Sequence, residues 1–246
     1  MEPLDSQCAS DVLKKGKVVK GYNFITIEDT KNLTKQEIIR LLNQPFMETT
    51  KNINILVESD FNSEVDHILK KNGFTVHDET VMVRKELHDS NRDATSLYTL
   101  KNLEEVPADD FKKVWKDSML HSLNAPSSLD ISGQMLSVEE ELGTNHKRSC
   151  MIAYESGSPI GVMIPHIEPG TQNEGRIFFF GLIPRERGKG KSKLLHQQAL
   201  EILKNDFKAT YYIGSTSQHN VPMLQTFQHN GCRIVERNIV YKRENK

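Results

Sequence analysis

Little in this chain can cross-link it or bind it to a metal. Three cysteines, Cys8, Cys150 and Cys232, stand far apart with no paired spacing. That excludes a disulfide scaffold and leaves buried or free thiols in a reducing compartment as the expectation. The nine histidines form no H-x-x-x-H pair, so no metal site is expected. No apolar run approaches the ~20 residues of a membrane span. The first residues, Met1 to Ser6, lack a basic stretch followed by an apolar one, so no secretion signal is expected. Net charge is -1, and no block of like charge is long enough for a nucleic-acid footprint. The expectation is a cytoplasmic globular protein, monomer or homodimer, with neither membrane nor nucleic acid as partner. Its 246 residues fit one to two domains.

What is present is one organised stretch. Ile177 to Pro184 (Ile-Phe-Phe-Phe-Gly-Leu-Ile-Pro) is a short apolar run bounded by Gly175 and Pro184, the pattern of a buried strand. Leu195, Ala199 and Ile202/Leu203 then recur at helical spacing. Between them lies Arg185-Glu186-Arg187-Gly188-Lys189-Gly190-Lys191-Ser192-Lys193, basic and glycine-containing. A strand feeding such a loop into a helix offers the helix's free amides and positive dipole end to an anion. The nucleoside-triphosphate pattern G-x-x-x-x-G-K-[ST] fails at its first glycine, where Arg185 stands. The dinucleotide pattern G-x-G-x-x-G fails at its third, where Lys193 stands.

A third reading fits better. Leu182 to Ser192 resembles the acyl-coenzyme-A-binding motif of the GNAT superfamily of N-acyltransferases, Arg/Gln-x-x-Gly-x-Gly/Ala between a strand and a helix. Arg187, Gly190 and Ser192 fall on its positions, with Ser192 a small departure from Gly/Ala. Downstream, Asn220 to Cys232 resembles the family's second motif: an Asn opening a short helix, an aromatic seven residues on, and a glycine near its end. Ala209 to Gly214 supplies the strand expected just before it. The hairpin turn Glu155-Ser156-Gly157-Ser158-Pro159 resembles the family's Gly-x-Pro-x-Gly hairpin. The resemblance covers residues 98–246 from end to end.

A strand is expected within Lys17–Glu28, and a helix from the cap Thr34, where Thr34-Lys35-Gln36-Glu37 nearly forms a capping box. A strand over Ile53–Val57, a helix from Ser63 stopping at Asn72-Gly73, and two strands within Phe74–Leu87 complete the first part. Asn72–Val76 is similar to Asn230–Ile234, and Val81–Glu86 to Ile239–Glu244, at a constant offset. Residues 1–90 therefore look like a degenerate half copy of the same fold. Its counterpart of the phosphate loop, Glu28 to Thr34, has no glycine and two acids, which repel phosphate. Polar, aperiodic 91–97 reads as a linker. Helices are expected from Pro107 and around Met135–Leu142, the second capped at Ser137, followed by strands Cys150–Tyr154 and Ile160–Ile164 and a loop over Pro165–Gly175. The fold class is α+β, a mixed, mostly antiparallel sheet flanked by helices.

The resemblance implies acetyl-coenzyme A as co-substrate, lying where strands Ile177–Ile183 and Ala209–Gly214 part. Leu182, Ile183, Arg187, Gly188, Lys189, Gly190, Lys191, Ser192 and Asn220 are then its candidate binding residues. An acceptor amine, small molecule or peptide, would attack the thioester directly. The family commonly has a Tyr in the second motif to protonate the leaving thiolate, but Phe227 stands there and has no proton to give. His219 and His229 are the nearest candidates to replace it. His166, Glu168 and Glu174 precede the central strand, where a base is often found in the family. Glu139-Glu140-Glu141 offers charge to a cationic amine. A catalytically weak acyl-coenzyme-A-binding or regulatory protein is the alternative expectation.

Overall fold

The computed structural model describes residues 15–21, 24–61, 63–87, 98–127 and 129–245. They fall into two compact units, one from Met1–Thr80 with Glu236–Lys246, the other from Val81–Val235. The expected linker at 91–97 lies outside the described residues, as does Cys8. The class is mixed α+β, with mostly antiparallel strands flanked by helices.

In the first unit, β1 (Lys17–Gly21) and β2 (Phe24–Glu28) pair antiparallel. The single strand expected over 17–28 is thus two arms of a hairpin. β2 runs parallel to β3 (Asn52–Glu58), and β3 pairs antiparallel with the end of β10 (Arg233–Glu244). The helix α1 (Lys35–Leu42) begins at a complete capping box. The Thr34 hydroxyl accepts from the Glu37 amide, and the Glu37 carboxylate accepts from the Thr34 amide. Two orphan amides are satisfied reciprocally, which fixes the helix start. α1 buries Ile38 and Leu41 beside Ile53, Ile55 and Tyr241. After the one-turn α2 (Phe46–Thr49), α3 (Ser63–Lys71) buries Val65 and Leu69 in the same core.

β4 (Thr75–Glu86) is one long strand, not the two expected. His77-Asp78-Glu79-Thr80 contains neither Gly nor Pro to reverse the chain. The unit boundary falls inside β4 and again inside β10. The second unit thus takes Val81–Leu87 from the first half of the chain and gives up Glu236–Lys246, unlike a division at 91–97. The internal similarity is exact in length: α3 and β4 match α8 (Val221–His229) and β10, each pair displaced equally.

In the second unit, β5 (Thr99–Asn102), β6 (Met151–Glu155), β7 (Ser158–Ile167) and β8 (Glu174–Leu182) pair antiparallel in series. β9 (Tyr211–Ser217) lies parallel to β8, with β4 beyond it. The β6–β7 turn places Ser156 and Gly157 at φ 51° and 79°, the left-handed pair a two-residue hairpin needs. α4 (Ala108–Met119) and α5 (Ile131–Leu142) cover one face, where Phe111, Trp115 and Val138 pack on Ile152, Val162 and Ile164. α7 (Lys191–Asn205) and α8 cover the other face. There Leu195 and Ala199 meet Ile160, Met163 and Leu182, while Leu200 and Leu203 meet Val81, Val83, Tyr212 and Phe227. α5 starts earlier than expected. Its cap is Asp130, whose carboxylate accepts from the Gly133 amide at 2.8 Å, and Ser137 lies buried mid-helix. The one-turn α6 (His146–Ser149) leads into β6.

Candidate functional site

The central strand is irregular for a reason written in the sequence. Pro165 has no amide to give the ladder, and the β7–β8 register shifts between Met163 and Pro165. The shift leaves an extra residue in β8, a bulge. Its effect shows in the side chains: the successive residues Phe178 and Phe179 both pack on the Trp115 face, whereas Phe180 joins the opposite face. The two neighbouring rings sit 6.4 and 5.6 Å from Trp115.

β8 and β9 pair only at Glu174–Tyr211 and Gly175–Tyr212. Gly175 permits that close approach, since a Cβ there would lie 2.9 Å from the Ala209 side chain. Beyond this point the strands part, and the space between them is a cavity of ≈ 460 Å³. Its walls are Ile177–Leu182 of β8, Tyr212, Ser215 and Thr216 of β9, α8 from Asn220 to Phe227, and the loop running into α7. Residues 118–124, following α4, form the remaining side.

Gly188 and Gly190 have φ of 74° and 77°, which L-residues rarely adopt. Gly190 is the N-cap of α7, and no side chain caps the helix. The first-turn amides of a fifteen-residue helix therefore face the cavity without a side-chain acceptor, a site fit for an anionic group. The basic side chains do something other than wait for that anion. Arg187 donates from Nε to the Leu182 carbonyl, from Nη2 to the Ser118 carbonyl and from Nη1 to the His121 carbonyl, at 2.9, 2.9 and 3.2 Å. Lys191 is held by Glu155 and Glu186 at 2.5 and 2.6 Å, and Lys189 by Glu186 at 3.1 Å. The two lysines hold the Glu186 carboxyl below the usual carboxylate range. What this loop offers an anion is thus mainly backbone amides.

Of the candidate binding residues, Leu182, Arg187, Gly188, Gly190, Lys191, Ser192 and Asn220 line the cavity, while Ile183 and Lys189 do not. The Ser192 and Thr226 hydroxyls are 3.0 Å apart and tie α7 to α8. Asn220 caps α8, accepting from the Met223 amide, and its Nδ2 donates to Thr216 and Asn124. Phe227 lines the cavity but is nearly buried, its ring against those of Tyr212 and His196. His219 and His229 are exposed and outside the lining.

Two features had no sequence signal. Asn124 Oδ1 accepts from Thr216 Oγ1, the Ser217 amide and Asn220 Nδ2, at 2.9–3.1 Å. His196, 0% exposed, stands among the rings of Phe180, Tyr212 and Phe227. The Lys193 carbonyl fixes the Asn230 amide, whose Nδ2 also meets His196 Nδ1 at 2.9 Å. Nδ1 is therefore an acceptor, and Nε2 carries the proton. Burial, with a smaller effect of Lys85, pushes the imidazole pKa down to about 3.

His166, Glu168 and Glu174 belong to a separate network and none lines the cavity. His166 Nε2 lies 3.7 Å from Glu168 and 3.9 Å from Glu141, and these three donors are close enough together to hold a metal ion. Arg176 is already there, with Nε 2.7 Å from Glu174 and 3.4 Å from Glu168. The Tyr211 hydroxyl donates to Glu174 at 3.1 Å. Among the described residues no helix is long and apolar enough to cross a membrane.

The sequence profile of the Acetyltransferase (GNAT) family matches residues 100–231. No curated protein matches the chain. Solved structures do. A GCN5-related N-acetyltransferase from Sphaerobacter thermophilus is 12% identical, with TM-score 0.56 over 93% of this chain and 76% of that one. A tandem GNAT protein from the clavulanic acid biosynthesis pathway is 12% identical, with TM-score 0.57 over 93% and 78%. A GCN5-related N-acetyltransferase from Kribbella flavida is 10% identical, with TM-score 0.55 over 98% and 96%. At such identities the likeness is one of fold.

Proposed function

The chain belongs to the Acetyltransferase (GNAT) family, and we propose that it is a cytoplasmic N-acetyltransferase moving an acetyl group from acetyl-coenzyme A to a primary amine. One observation carries the reading: β8 and β9 separate after Gly175–Tyr212 around a cavity that ends on the uncapped amides of α7. A long polar arm fits between parted strands, and a diphosphate suits the helix start. The donor molecule supplies an activated thioester. The chain's residues bind and orient it: the amides from Gly188 to Ser192 take the phosphates, and the bulged backbone at Phe178–Phe179 offers groups free of the ladder to the arm. The acceptor nitrogen attacks the thioester carbon, the C–S bond breaks, and the thiol departs without a covalent enzyme intermediate. The acceptor in this reading is a small molecule or the amino group of a peptide. The two described cysteines, both free, agree with a reducing compartment.

Phe227 favours a second reading, an acyl-coenzyme-A-binding protein of weak catalytic power, because the ring that closes the cavity has no proton to give. Calorimetry with acetyl-coenzyme A decides the shared premise. The full-length chain binds it, and Gly190→Glu, which puts a carboxylate at a left-handed position beside the amides, does not. No binding by the unaltered chain refutes both readings. Thiol release above solvent hydrolysis, across a set of primary amines, separates the first from the second.

A further inference from the structure

If the chain transfers acetyl groups to amines, a proton has to leave the acceptor first. A primary alkylammonium has a pKa near ~10.4, so only about one in a thousand is nucleophilic near neutral pH. The cavity lining is specific about what can accept that proton. Among the described residues, its titratable side chains are His121, Arg187, Lys191 and Tyr212, with no carboxylate. Arg187 stays protonated and is spent on three carbonyls. Lys191 is kept cationic by Glu155 and Glu186. Burial pushes the Tyr212 hydroxyl up, so it keeps its proton. What remains in this set is an imidazole, the side chain most often used as a general base.

His121 also sits on an anchored segment. At one end Arg187 grips the Ser118 and His121 carbonyls. At the other, Asn124 Oδ1 receives three hydrogen bonds, two from Thr216 and Ser217 of β9 and one from Asn220, the cap of α8. The segment therefore runs from one wall of the cavity to the other. Within it His121 adopts φ 55°, the left-handed region, a strained conformation that persists only where the surroundings over-determine it.

We propose that His121 is the general base of the transfer, with Arg187 and Asn124 positioning it; the proposal rests on the N-acetyltransferase reading. An imidazole nitrogen takes one proton from the ammonium. The free amine forms the N–C bond as the C–S bond breaks, the nitrogen's second proton goes to the departing thiolate, and the imidazolium returns its proton to water. The other titratable groups of the lining are the Arg187 and Lys191 cations and the neutral Tyr212 hydroxyl.

The test measures thiol release from acetyl-coenzyme A by the full chain with ethanolamine, spermidine, glucosamine and a lysine-containing peptide, and acetyl-coenzyme A affinity by calorimetry. His121→Asn keeps a residue that tolerates left-handed backbone, and His121→Gly relieves the strain altogether. Both are expected to bind acetyl-coenzyme A with unchanged Kd. Both lose about 10²-fold or more in kcat/KM near neutral pH, converge on the unaltered chain as pH approaches the amine's own pKa, and recover partly with added imidazole. A purely structural role predicts the opposite, full rescue by Asn or Gly. Activity of His121→Asn within threefold of the unaltered chain, with the same pH profile, overturns the proposal and leaves the transferase reading standing. An unaltered chain that binds acetyl-coenzyme A but acetylates none of the amines overturns both.

Discussion

His196 makes the stability of the second unit depend on acid in a way that can be calculated. Its imidazole is buried, neutral and held by Asn230, with a pKa pushed down to about 3, against about 6.5 in the unfolded chain. Between those values the unfolded state binds the proton and the folded state does not, so stability rises with pH through this window and is lost as pH falls through it. The loss is about 2 kcal/mol on going from neutral pH to about pH 5, and about 3 kcal/mol by about pH 4. Other groups add their own dependence, so the measurement is a difference. Urea unfolding of the unaltered chain and of His196→Leu at the two pH values gives two slopes. The leucine variant is expected to lose about 2 kcal/mol less than the unaltered chain across this range, whatever its stability at neutral pH. Two equal losses would refute the reasoning, because they would mean that His196 finds a proton-accepting partner or water when folded.

Arg187→Lys removes a planar fork that serves three carbonyls, and an ammonium cannot reach all three. We expect a loss of about 2–3 kcal/mol in unfolding free energy and faster amide hydrogen exchange over 118–124; unchanged exchange there would contradict the stapling role. Burial pushes the thiols of Cys150 and Cys232 up to about 12 and about 11. Iodoacetamide at about pH 8 should therefore leave both unmodified until denaturant is added, and rapid labelling of either in the folded chain, located by peptide mapping, would argue against that burial. A chain cut to 98–246 lacks Val81, Val83 and Leu87, which pack with Tyr212 and Phe227. It should fail to bind acetyl-coenzyme A, whereas 75–235 should fold and bind; the reverse ranking, read by calorimetry and gel filtration, would mean that the strand is dispensable.

Local chemistry was legible in the sequence wherever it was self-contained. The Thr34–Glu37 box, the Ser156-Gly157 turn, the loop glycines and the Asn220 cap each depend on neighbours a few residues away, and each is found as expected. Misreadings came from competition between local signals. Ser137 offers a capping pattern, but Asp130 starts the same helix earlier and carries Ser137 into its buried interior. The basic loop looked like a set of free cations because Glu186, Glu155 and the carbonyls of residues 118 and 121 are claimed only in three dimensions. The same holds for Asn124, whose partners lie more than ninety residues away. For His121, nothing in Leu120-His121-Ser122 announces a left-handed residue, and its place in the cavity wall follows from those distant anchors.

The way β4 and β10 divide between the two units sets an order of events during synthesis. The ribosome makes the chain from its first residue, and domains usually mature in that order. Here the earlier unit lacks its closing strand until residues 236–244 have been made, because β3 pairs with the end of β10. The later unit holds its borrowed strand, Val81–Leu87, from the outset. The later unit can therefore close first, with the earlier segment waiting on an unpaired β3 edge. That long-range closure is slow in kinetic terms and exposes a strand edge meanwhile. Chains truncated shortly before residue 236 and released from the ribosome should accordingly protect the 177–227 region from protease while leaving 52–58 open to it.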